Sequence, residues 1–192
     1  INDICNEKMN LIKSITKNGI AFINGDDKKI IENVDNTSIY PYKVIKYGWE
    51  SSNNYVYECE DITSKKFKIN REIIEHPYLS ENLIKNITAA FSIAIELGIS
   101  TNKFKKLIKS FRVPDGRGRI IDNKSYIIID DSYNSNFTST TSGLRYLSTF
   151  SNQNSRKIAV LGDMLELGKN EKKIHKELLP HIIKNNIKNV FL

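Results

Sequence analysis

Two short polar runs concentrate the chemistry available to this 192-residue sequence: Asp130-Asp131-Ser132-Tyr133-Asn134-Ser135-Asn136 and Gly162-Asp163-Met164-Leu165-Glu166-Leu167-Gly168. Each follows an apolar, β-rich run, at residues 126–129 and 158–161. In an open α/β sheet, ligands bind beyond the carboxyl ends of the strands. Hydroxyl, amide and carboxylate groups held there suit a ribose, a phosphate or a polar peptide. Asp and Asn also make good turns for purely structural reasons, and a single loop of this kind favours that reading. Two of them, Asp-Asp in one and Gly-Asp in the other, point toward a site.

The elements that must position these loops are read from apolar spacing. Residues 1–18 read as the end of a helix, with Ile4, Met9, Leu11, Ile12 and Ile15 on one stripe. Gly19 stops it, and residues 20–23 form a short buried strand running into Asn24-Gly25-Asp26-Asp27. Between residues 40 and 70, strands are expected at 42–47, 55–59 and 66–69, the last two as a hairpin. Ser80 is placed to cap a helix carrying Leu83, Ile84, Ile87, Phe91, Ala94 and Leu97, which Gly98 ends. Thr101 is placed to cap the next, where Phe104, Leu107, Ile108 and Phe111 recur at helical spacing. Val113-Pro114-Asp115-Gly116 breaks the pattern as a linker, dividing the chain into residues 1–113 and 114–192.

Beyond the linker the pattern alternates strand and helix. Strands are expected at 126–129, 158–161 and 190–192, with helical faces at Leu144, Leu147, Phe150 and at Ile174, Leu178, Ile182, Ile183. That order predicts an α/β fold with a parallel sheet and right-handed crossovers. His76 and His181 read as loop or helix-end residues, and His175 as a structural residue on a helix.

Composition narrows the function class. Hydrophobic residues make up 40% and charged residues 27%, ordinary for a globular protein. No run approaches the length a membrane span needs, and no signal-peptide pattern opens the chain. Cys5 and Cys59 give neither a disulfide framework nor a zinc spacing. The net charge of +7 comes from lysines spread along the whole chain, without a DNA- or RNA-binding signature among them. Nucleic acid is therefore not an expected partner. The start at Ile1 and the β-like run at residues 189–192 lead us to expect an internal piece of a longer protein.

The two polar runs, in this order and followed by His175, resemble the C-terminal domain of the Mur ligases. Within that family, the Asp-Asp-Ser-Tyr-Asn form is similar to that of the member adding D-alanyl-D-alanine. The likeness extends backwards along the chain. Gly116-Arg117-Gly118 resembles the family's domain-junction arginine, residues 82–90 its adenine-contacting helix start, and residues 19–27 its strand ending in Asn-x-Asp-Asp. Lys8, eleven positions before Gly19, falls where the family places a carbamylated lysine. Departures are Ser80 and Asn82 in place of a Gly-x-His, Phe137 in place of a proline, and Asn10 in place of a glutamate.

The resemblance implies the second half of a central P-loop-type ATPase domain, followed by the start of a Rossmann-like C-terminal domain. It implies ATP as cosubstrate, Mg2+, and a cytoplasmic, monomeric enzyme acting on a UDP-muramoyl peptide and D-alanyl-D-alanine. Lys8, as its carbamate, would be a catalytic metal ligand; otherwise it is one exposed lysine among many. Asn86 would meet adenine and Arg117 the nucleotide, the plainer alternatives being a polar helix-start residue and a partner of Asp115. Asp131 would act in catalysis and accept from ribose hydroxyls. Tyr133, Asn134, Asn136, Asp163 and Glu166 would line the substrate side, with a helix cap the alternative for Asn136 and a solvated turn for Glu166. The phosphate-cradling Gly-x-x-x-x-Gly-Lys-Ser/Thr loop does not occur in these residues, so the chain by itself is expected to be inactive. A different amine acceptor and a non-catalytic basic binding domain remain the alternative functions.

Overall fold

Strand alternation and helical spacing build two compact units, residues 1–110 and 111–192, in the computed structural model. It describes residues 2–35, 42–150 and 155–192, without the side chains of residues 2–6 and 35. Ile4, Cys5 and the start of the expected β-rich stretch at Tyr40 therefore lie outside the described groups.

The first unit opens with α1 (Asn2–Lys13), β1 (Ile20–Asn24) and α2 (Lys28–Asp35). It continues through β2 (Lys43–Gly48), β3 (Tyr55–Glu58), β4 (Lys66–Ile69) and β5 (Glu72–Glu75), then α3 (Glu81–Glu96) and α4 (Thr101–Ser110). The strands form one five-stranded sheet in sequence order. β1 and β2 run parallel, as do β2 and β3, while β3–β4 and β4–β5 are antiparallel. Because side chains alternate across a strand, Ala21 and Ile23 join Met9, Ile12, Ile30 and Val34 in one cluster. Ile20 and Phe22 meet the other, built on Ile45, Phe67, Ile69, Ile74, Ile84, Ile87 and Phe91.

Ser80 caps α3 as expected, its Oγ accepting from the Leu83 N–H at 3.1 Å. Phe91 then meets Tyr55 and Phe104 edge-to-face, with centroids 6.0 and 5.2 Å apart. The cap of α4 is Ser100 rather than Thr101, since the Lys103 N–H reaches Ser100 Oγ at 3.4 Å. Leu11, Leu97, Leu107 and Phe111 lie exposed, so the apolar stripes are narrower than their spacing implies.

The second unit contains β6 (Arg119–Asp122), β7 (Ile127–Asp130), α5 (Phe137–Thr149), β8 (Ile158–Val160), α6 (Glu171–Lys176), α7 (Leu179–Lys184) and β9 (Asn189–Phe191). β8 and β9 are parallel, with Leu144, Ala159 and Ile187 forming the core of this layer. The expected all-parallel order needs correction at β7, which pairs antiparallel with β6 across a turn at residues 123–126. Among the described residues β7 has no ladder to β8. The single expected helix over Ile174–Ile183 is two short ones, and Ile183 is exposed. In the β-like run at 189–192, Val190 packs against the Leu144, Ala159 and Ile187 core, while Phe191 is 61% and Leu192 100% exposed.

Candidate functional site

The junction residues 114–118 and the loop after β7 are tied together by a carboxylate. Asp130 Oδ2 accepts from the Gly116 N–H at 3.0 Å, and Asp130 Oδ1 accepts from the Ser132 hydroxyl at 2.6 Å. Backbone bonds complete the join: Tyr133 N–H donates to Gly116 O at 3.0 Å, and Gly118 N–H to Asp130 O at 2.8 Å. Gly116 and Gly118 have φ of +71° and +80°, a region open to glycine. At Gly116 a Cβ would also sit 2.9 Å from Tyr133 N. This clamp lays the Arg117 guanidinium over the Tyr133 ring, 3.7 Å from its centroid. Asp115 pairs with Arg119 instead of Arg117.

The two adjacent carboxyls are pulled in opposite directions. Asp130 is held below its ordinary value of 3.8, first by the Ser132 hydroxyl, then by the Gly116 N–H. Asp131 is raised, first by desolvation in crowded surroundings, then by repulsion from Asp130, against the pull of Arg117. It accepts no hydrogen bond from any described residue. A carboxyl with a raised folded pKa contributes stability below its unfolded value that is lost as pH rises through the folded one; a depressed carboxyl does the reverse. Asp131→Asn is therefore expected to raise the melting temperature at pH 7. That gain should shrink toward pH 3, where Asp131 is protonated in both states. Thermal melts of both proteins at the two pH values measure it, and a gain independent of pH would contradict the assignment.

Asn134 is exposed, its Oδ1 accepting from the Ser135 N–H at 2.8 Å. Asn136 forms a capping box with Ser139, its Oδ1 accepting from Ser139 N–H at 2.9 Å while its own N–H donates to Ser139 Oγ at 3.0 Å. The carbonyl half of its amide thus belongs to the start of α5. In the second loop, Met164 is 1% exposed and its N–H donates to His175 Nε2 at 3.1 Å. Because that nitrogen must accept, Nδ1 carries the proton and donates to Glu171 O at 2.9 Å. His175 is thereby a strut, with Asp163 and Glu166 exposed on either side of the anchored Met164. Glu166 adopts a φ of +62°.

In the first unit, Lys8 is exposed on α1, with Nζ 3.9 Å from Asp27 Oδ2. Asp27 Oδ1 also accepts from the Ile30 N–H at 3.3 Å at the start of α2. The neighbouring Asp26, whose loop contacts no spacing pattern revealed, accepts from Trp49, Glu50 and Asn53. Asn86 is exposed on α3 and its amide engages no described residue. No cluster of three or more His, Cys, Asp or Glu suited to a metal occurs among the described residues. A carbamate on Lys8 would set a second anionic oxygen group beside Asp27. That donor set suits Mg2+, which binds through one or two carboxylates together with water and phosphate.

A groove of about 470 Å³ in this unit is lined by Lys43, Tyr55, Asn70 and Glu96 and includes none of these residues. It holds an ion pair, Lys43 Nζ to Glu96 Oε2 at 2.6 Å, with Tyr55 Oη donating to Glu96 Oε1 at 3.0 Å. Burial, then the Glu96 hydrogen bond, pushes the Tyr55 pKa up to about 12.

Comparison with known proteins agrees with this layout. The Mur ligase middle domain matches residues 1–94, and the Mur ligase glutamate ligase domain matches residues 116–192. A UDP-N-acetylmuramoyl-tripeptide--D-alanyl-D-alanine ligase of Buchnera aphidicola is 33% identical over 98% of this chain and 41% of its own length. The ligase of the same name from Rickettsia prowazekii is 28% identical, over 100% of this chain and 44% of its own length. The chain thus spans less than half the length of these curated relatives. Among solved structures, MurF from Acinetobacter baumannii superposes with a TM-score of 0.83 at 22% identity, covering 98% of this chain and 42% of that one. MurF from Thermotoga maritima in complex with ADP gives 0.81 at 23%, covering 97% and 43%. No helix among the described residues is long and apolar enough to cross a membrane. Two matched Mur ligase domains, on an α/β fold shared with those structures, place this chain in the Mur ligase family.

Proposed function

We propose that this chain serves a cytoplasmic ATP-dependent ligase that joins D-alanyl-D-alanine to a UDP-muramoyl tripeptide in peptidoglycan precursor synthesis. Residues 1–113 are the latter part of its ATP-binding domain, and residues 114–192 the first part of its C-terminal domain. The reading is carried by the Asp130 clamp, which joins Arg117, Asp131 and Tyr133 into one structured loop within a family-matched domain.

The reaction spends ATP to activate the tripeptide carboxylate, which the dipeptide amine then attacks. Mg2+, where bound, would neutralise phosphate charge, with carbamylated Lys8 and Asp27 as its protein ligands. Asn86 offers donor and acceptor together, matching an adenine edge. Arg117 offers a planar fork for nucleotide oxygens. Asp131 accepts from ribose hydroxyls, while Asn134, Asp163 and Glu166 face the substrates. Asn136 still has its amide N–H groups to offer them, its Oδ1 already accepting from Ser139 N–H.

The test is a chimera in which residues 1–192 replace the matching segment of the Bacillus subtilis ligase, a relative that is 28% identical over 98% of this chain. Phosphate release should require the UDP-tripeptide, ATP and D-alanyl-D-alanine together, and the unextended 192-residue chain should release none. Release that depends on a single amino acid instead of the dipeptide would establish a different amine acceptor.

A further inference from the structure

Tyr133 sits where a substrate-lining residue is expected, yet its ring lies under Arg117, 3.7 Å from the guanidinium carbon. The stack is fixed from beneath by the pairing of Tyr133 N–H with Gly116 O and of Gly116 N–H with Asp130 Oδ2. The competing arrangement is removed, because Asp115 is occupied by Arg119. The Arg117 guanidinium makes no hydrogen bond to any described residue, while its backbone N–H donates to Pro114 O at 3.2 Å. A guanidinium carbon held over an aromatic face leaves the N–H donors, which lie in the guanidinium's own plane, unused by the contact. Arg117 is thus held by a cation–π contact that uses none of its donors.

We propose that Tyr133 is a positioning residue for Arg117, holding the guanidinium edge-out to receive the oxygens of a diphosphate. This rests on the reading of Arg117 as a nucleotide-contacting residue, and it moves Tyr133 from the substrate side to the nucleotide side. Exposed cation–π contacts are modest, so the ring's contribution is orientation and a small gain in affinity. Since Tyr133 is 67% exposed, its replacement should not unfold the chain.

The experiment is arginine side-chain NMR on the 192-residue protein, titrated with inorganic pyrophosphate. Arg117→Lys assigns the signal, and Arg119 serves as the internal control. The Arg117 Nε–H resonance should be shifted upfield by the ring and should move on titration. Tyr133→Phe should preserve both behaviours. Tyr133→Leu should return the resonance to its ordinary position and weaken the response about two- to fivefold. An unshifted resonance in the unsubstituted protein, or an equal response in Tyr133→Leu, would overturn the positioning role. A shifted resonance that ignores pyrophosphate would overturn the diphosphate as ligand. Failure of the ligase reading is separate, since the ring shift is read without turnover.

Discussion

Asp26→Ala should destabilise residues 1–110 by about 2–3 kcal/mol, the loss expected when a charged acceptor leaves several donors unpaired. Asp26 lies just past β1, and its carboxylate accepts from Trp49 N–H at 3.0 Å, Glu50 N–H at 3.1 Å and Asn53 Nδ2 at 3.1 Å. Those three residues lie in the connection between β2 and β3, residues 49–54, which must loop round to set Tyr55 beside Tyr47 in a parallel pair. The fit allows no extra atoms: a Cβ on Gly48 would lie 2.3 Å from Asp26 Oδ1, and one on Gly25 1.6 Å from Asn53 Oδ1. Asn53 is 8% exposed, so its amide cannot exchange Asp26 for water without opening the loop. Trp49 is the only tryptophan and is 60% exposed, which makes its fluorescence a local reporter. Urea titrations followed by Trp49 emission and by far-ultraviolet dichroism should both shift to lower midpoints in Asp26→Ala. Asp26→Asn should fall between, because one carboxamide oxygen retains part of the acceptor set. An Asp26→Ala midpoint equal to that of the unsubstituted protein would show that the loop holds itself.

The contrast between Ser80 and β5 shows what sequence can disclose. A serine before an apolar helical stripe announces a cap through local chemistry, and Ser80 Oγ does accept from Leu83 N–H. β5 is only Glu72–Glu75, reached from β4 through Asn70 at a φ of +55° and Arg71, and its identity as a strand comes from pairing with Phe67 and Ile69. Four residues carry too little periodicity to reveal that partner. α2 was missed for a similar reason: it is eight residues long, and its start is set by the Asp27 carboxylate. The run 127–129 is a strand, as its residue types indicate, but Ile127 and Ile128 are each 45% exposed, because an apolar run says nothing of which neighbour covers it.

At the site, the residue types of the two loops were legible and their division of labour was not. Asp130 and Asp131 are adjacent and chemically identical, but only Asp130 is committed to backbone and hydroxyl donors. Which one remains open depends on Gly116, fourteen residues earlier. The same contact decides what Tyr133 touches. Spacing placed Arg117 beside Asp115 as its plainest partner; the fold gives Asp115 to Arg119 and Arg117 to the ring.

The largest effect on activity is expected at Lys8. In the chimera, Lys8→Ala should lower turnover on the order of 10²-fold, the scale of losing one group that stabilises phosphoryl charge. Little stability should be lost with it: the pair with Asp27 spans 3.9 Å, the lysine side chain is 55% exposed, and such pairs contribute less than about 1 kcal/mol. Activity and folding can therefore be separated at this position. Lys8→Arg distinguishes the two roles. Arginine keeps the positive charge opposite Asp27 and the ion pair, but its guanidinium does not become an anionic oxygen ligand by taking up carbon dioxide. If Lys8 acts as a carbamate, the arginine protein should be as inactive as the alanine protein while melting like the unsubstituted one. If Lys8 only tethers α1 to Asp27, arginine should restore turnover. Steady-state phosphate release beside a thermal melt, on the same three proteins, decides between a metal-binding carbamate and a surface ion pair.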